Sequence, residues 1–113
     1  MRMRRLPLMP LAAIAALAAC SDAGEDGDAA LVKRGKVVYQ TNCTSCHARD
    51  PNQPGPVGPP IADASLELLT AKVLRNEYPP GYTPKRDTKA MVPLVHLKPE
   101  LPAIAAYLES AKR

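Results

Sequence analysis

Proline constrains this chain more than any other residue. Thirteen of its 113 residues are proline, and five of those fall in residues 51–60, PNQPGPVGPP. A second dense stretch, YPPGYTPKRDTKAMVP, covers residues 78–93. Proline offers no amide hydrogen and its ring clashes with a helical carbonyl, so neither stretch can be a helix interior or a central strand. Three windows survive between and around them. Ala29–Asn42 reads as a helix, with Leu31, Gly35, Val38 and Tyr39 near one face. Ser65–Asn76 reads as a second, striped by Leu66, Leu69, Val73 and Leu74 and capped by Asp63 or Ser65. A third begins near Pro99, where proline suits a first turn, and carries Leu101, Ile104, Ala105, Tyr107 and Leu108; Pro102 delays its regular part. No strand-like alternation and no internal repeat is visible. The expected class is all-α, three or so short helices joined by long Pro-rich loops.

A body of this kind lacks the means to build a core alone. Residues 30–113 contain no Phe and no Trp. Domains this small usually need a disulfide, a metal or a cofactor. Cys43 and Cys46 are too close in sequence to staple separate elements. They belong instead to CTSCH, residues 43–47, for which three chemistries compete. A thioredoxin-like dithiol needs a sheet behind it, and there are no strands to build one. A structural zinc needs four ligands, and after Cys43, Cys46 and His47 only His96 is left. Covalent haem needs what is present: two thiols to bond the vinyl groups and the adjacent histidine to ligate iron. The missing core and the motif point to the same large apolar group, one haem c per chain.

The N-terminus reads as an address. Met1–Arg5 holds three arginines, Leu6–Ala16 is apolar but short for a membrane span, and Leu17-Ala18-Ala19-Cys20 closes it. That last run resembles the bacterial lipobox, whose cysteine is diacylated and becomes the new N-terminus. The expected organisation is a lipoprotein signal peptide over 1–19, a flexible acidic tether over 20–29 from lipidated Cys20, and a folded domain over 30–113. Removing Arg2, Arg4 and Arg5 takes the 15 basic residues to 12 against 11 acidic ones; from residue 30 the balance is 12 to 7. Export and the absence of aromatic–lysine interleaving argue against nucleic acid. A basic rim suits an acidic redox partner through electrostatic steering.

From residue 30 onward the chain resembles a monohaem class I cytochrome c. CTSCH is joined by Gly35-x-x-x-Tyr39 before it, Gly58-Pro59-Pro60-Ile61 after it and AAYL at 105–108. The resemblance implies a first helix crossing the last at Gly35, with Tyr39 and Tyr107 packed nearby. It implies His47 as proximal ligand, its second ring nitrogen held by a proline carbonyl. Pro59 fits, because an aliphatic residue follows in Gly58-Pro59-Pro60-Ile61; Pro56 is the rival. It implies Met91 as the second axial ligand, since Met1, Met3 and Met9 lie in the signal segment, with His96 as the alternative. Met91-Val92-Pro93 departs from the family habit of proline directly after this methionine. Tyr78, Tyr82, Lys85, Arg86 and Lys89 are the group from which propionate donors would come.

The functional expectation is a membrane-tethered one-electron carrier on the periplasmic side, anchored to the inner or outer membrane, with Ser21 leaning toward the outer. It would serve an oxidase, a reductase or a dehydrogenase, alone or as the cytochrome subunit of such a complex. No catalytic residues are expected. The competing class is a haem enzyme or ligand sensor with a labile distal ligand.

Overall fold

The computed structural model describes residues 23–113. The signal segment 1–19 and Cys20 lie outside them. The described residues form α1 (Ala23–Asn42), α2 (Leu66–Arg75), a 3₁₀ segment (Val95–Glu100) and α3 (Leu101–Ala111), with no strand among them. None of these helices is long and apolar enough to cross a membrane.

α1 starts at Ala23 and not at Ala29, so residues 23–29 of the expected tether are helical. Extending a formed helix costs far less than nucleating one. α2 keeps close to the expected bounds. Ser65 is its N-cap and accepts from the Leu68 amide at 3.1 Å, while Asn76 closes it in the left-handed region at φ 53°. Asp63, the other cap considered, pairs with Lys85 instead. The last helix begins later than Pro99. That proline sits inside the 3₁₀ segment, and Pro102 occupies the first turn of α3, where an amide hydrogen would go unused.

The core lies where α1 crosses α3, with α2 and the 3₁₀ segment closing its side. Tyr39, Ile104 and Leu108 are its largest fully buried side chains. Burying a side chain such as Leu or Ile stabilises by about 1.5–3 kcal/mol. Gly35 permits the crossing. A Cβ there would overlap the Ala103 carbonyl and lie 2.9 Å from Tyr107 Cβ, so only glycine lets the backbones approach. The Tyr39 and Tyr107 rings meet beside it, centroids 5.4 Å apart and tilted by 50°. Outside the core, Arg34 forks onto the Glu100 carboxylate at 3.1 and 2.5 Å, tying α1 to the start of α3.

Candidate functional site

CTSCH is built on the end of α1. The Cys43 amide continues the helical pattern by donating to Tyr39 O at 2.8 Å, and the Cys46 and His47 amides turn back onto Cys43 O at 3.3 and 2.9 Å. Tyr39 fixes the exit: its hydroxyl donates to the Ala48 carbonyl at 2.6 Å, and burial raises its pKa above the usual phenol value. No disulfide joins Cys43 to Cys46. Burial pushes the Cys43 thiol up to about 11, so it stays protonated near neutrality.

The Pro-rich loop then folds back over the motif. The Val57 and Gly58 amides both donate to Cys46 O, at 3.2 and 2.8 Å, and the Ile61 and Ala62 amides donate to Pro51 O. Two glycines make this approach possible. A Cβ on Gly55 would collide with the backbone at Cys46–Ala48, and one on Gly58 would collide with the His47 ring. The result is that His47 Nδ1 lies 3.0 Å from the Pro59 carbonyl. A carbonyl only accepts, so Nδ1 carries the hydrogen and Nε2 keeps its lone pair, the arrangement a metal ligand needs. Burial lowers the His47 pKa, favouring neutral imidazole; the Pro59 contact opposes this, and the Arg86 and Lys72 charges add to it. Pro56, the rival carbonyl, belongs to an exposed residue.

These residues open onto a cleft of about 330 Å³. Cys43, Cys46, His47 and Pro59 line it, and so do Leu68 of α2 and Met91 of the second loop. Met91 is half-buried and packs against the core, and the Leu94 amide anchors its segment by donating to Val73 O at 2.7 Å. His96 is exposed on the 3₁₀ segment and does not line the cleft. Among the described residues, no group of three or more His, Cys, Asp or Glu side chains is arranged to hold a metal ion, so the zinc reading has no ligand set.

The group of expected propionate donors divides. Tyr78, Tyr82, Lys85 and Arg86 line the cleft, whereas Lys89 does not. Lys85 and Arg86 are already committed to protein oxygens: Lys85 to Asp63 Oδ1 at 2.6 Å and Pro60 O at 2.9 Å, Arg86 to Val57 O at 2.7 Å. The sequence reading missed Lys72. It lines the cleft, places its ammonium 4.4 Å over the Tyr78 ring and donates to Asn76 Oδ1 at 2.7 Å, while Tyr78 stacks on Tyr82 at 5.4 Å. Its position three residues after Leu69 and one before Val73 was the available signal, but a lysine beside an apolar stripe ordinarily reads as solvated.

A paired-thiol turn, a histidine fixed in the ligating tautomer and a cleft walled by aliphatic side chains fit a haem. They define a covalent haem site on an all-α fold. The family model for Cytochrome c matches residues 32–112, and the chain belongs to the cytochrome c family. Haem c is its cofactor, and electron transfer through that haem is its role. Cytochrome c domains are typically exported. No curated protein and no solved structure matches the chain.

Proposed function

We propose that the chain is an exported carrier, diacylated at Cys20 and held at a membrane surface, that passes single electrons between periplasmic or membrane redox enzymes. In this reading haem is bonded through Cys43 and Cys46 and supplies a one-electron Fe(III)/Fe(II) couple. His47 and Met91 would hold its iron, and Pro59 fixes the His47 tautomer. A thioether favours reduced iron and raises the potential. With His47 and Met91 both holding the iron, no position would be left for a substrate, and the chemistry the haem would supply is outer-sphere electron transfer. Tyr78, Tyr82 and Lys72 are the propionate donors, being cleft-lining groups not tied to a carboxylate or backbone oxygen.

The observation that carries this reading is the His47–Pro59 contact at 3.0 Å in a cleft that Met91 also lines. Absorption spectroscopy of the holoprotein tests it. The expected result is a c-type spectrum, with the weak near-infrared iron–sulfur band in the ferric state and no CO binding to the reduced state at neutral pH. Loss of that band with ready CO binding would replace the carrier by a haem enzyme or sensor. The anchor is tested by Cys20→Ser, which should release a soluble holoprotein or block processing; unchanged membrane attachment overturns lipidation. The basic body predicts electron transfer that slows as ionic strength rises.

A further inference from the structure

Residues 83–93, which carry Met91, have an unusual poverty of backbone support. Among the described residues, no backbone–backbone hydrogen bond involves any of them. Their nearest backbone anchors are the Tyr82 amide on Pro79 O at 3.1 Å and the Leu94 amide on Val73 O at 2.7 Å. What holds the segment from within is side chains, and those of Lys85 and Arg86 both reach across to the loop that orients His47. Arg86 Nη1 donates to Val57 O at 2.7 Å, and both of its terminal nitrogens lie 3.4 Å from Gly55 O. Lys85 donates to Pro60 O and to the Asp63 carboxylate.

We propose that Arg86, seconded by Lys85, is a positioning residue for the haem site: it clasps the Met91 loop to the His47 loop, so that the two axial side chains are held by one connected frame. The inference rests on the haem reading above. The carbonyls chosen bracket the critical contact. Val57 and Gly58 donate their amides to Cys46 O, Pro59 accepts from His47, and Pro60 accepts from Lys85. Each end of the clasp is therefore within a few atoms of a group that sets the His47 ring. A guanidinium suits the task because its donors are fixed in a rigid planar fork that reaches both the Gly55 and Val57 carbonyls, whereas an ammonium is a point charge on a flexible stem.

The test uses the holoprotein as wild type, Arg86→Ala, Arg86→Lys and Lys85→Met. Two quantities are read: amide hydrogen exchange at Val57 and Gly58, and imidazole binding to the ferric protein, which competes with Met91. Loss of charged-donor hydrogen bonds predicts that Arg86→Ala raises both the exchange rate and the imidazole affinity on the order of tenfold. Arg86→Lys should restore part of each, and Lys85→Met should raise both less than Arg86→Ala does. Both quantities staying within about twofold of wild type in Arg86→Ala overturns the clasp. Faster exchange without tighter imidazole binding overturns its joint role, because Arg86 then supports the His47 loop alone. Should Arg86→Ala yield no holoprotein, Arg86→Lys and Lys85→Met decide the matter by the same two readouts. A wild type without the iron–sulfur band overturns Met91 ligation itself, and its spectrum shows this before any variant is compared.

Discussion

The crossing of α1 and α3 and the cleft beside it are made of similar aliphatic and tyrosine side chains, yet they close differently. At the crossing, protein meets protein. Gly35 lies against Ala103, Tyr39 against Tyr107, and Ile104 and Leu108 are sealed from solvent. At the cleft, Cys43, Ile61, Leu94 and Met91 pack against the core on one side only, and the walls are loops tied by carbonyl contacts and two cationic side chains. One region is satisfied by sequence alone. The other is completed by the cofactor, which explains how a body without Phe or Trp can be a stable domain.

The largest effect should come from denying the cleft its haem. Replacing Cys43 and Cys46 with alanine prevents covalent attachment while leaving the helix crossing untouched. If the comparison holds, this variant loses its cooperative thermal transition and its amides in α2 and the two loops exchange freely. A binding partner specific for the folded state stabilises by mass action, and a covalently held one cannot dilute away. A double variant that unfolds cooperatively at the wild-type temperature would show that the cleft closes on its own.

A smaller loss is expected at the crossing itself. Gly35→Ala must place a methyl where the Ala103 carbonyl now sits, and that obstacle is backbone and not the tip of a flexible side chain. Overpacking of this kind costs about 1–3 kcal/mol and sometimes more. Alanine's better helix propensity returns about 1 kcal/mol, so the steric cost prevails. The holoprotein should melt several degrees lower while its iron–sulfur band is retained, because the damage lies away from Met91. A band lost together with the midpoint would mean that crossing and cleft are not separable units.

The same division governs what was legible in the sequence. Proline density excluded helix and strand from the two loops, periodicity located α2 to within its Ser65 and Asn76 caps, and the family pattern brought Gly35, Tyr39 and Tyr107 together. These are local or motif-borne signals. Periodicity did not show that α1 reaches back to Ala23, since residues 23–28 offer no apolar stripe, nor that Val95–Glu100 tightens into a 3₁₀ segment before α3. It was blind to the clasp. Lys85 and Arg86 read as charged loop residues, and their partners at Gly55, Val57 and Pro60 are backbone carbonyls that no residue type announces. The Pro59 carbonyl is the same kind of group, and it was named only because the family pattern supplied it.

The smallest effect concerns the exposed half of that clasp. The Lys85 hydrogen bond is the main cause that holds the Asp63 pKa below its ordinary value, against a modest opposing effect of burial. A carboxylate depressed in the folded state adds stability above its unfolded pKa of about 3.9 and loses it as pH falls through the lower, folded value. Asp63 is largely solvent-exposed, so the contribution is small and salt-sensitive. The difference in thermal midpoint between wild type and Lys85→Met should therefore be steady from about pH 5 to 7 and should shrink below about pH 4. What persists at the acid end is the Lys85 bond to Pro60 O, which does not titrate. A difference that vanished entirely in acid would assign Lys85 to the ion pair alone, leaving Arg86 as the clasp's one attachment to the His47 loop. A difference unchanged across the range would assign it to the carbonyl.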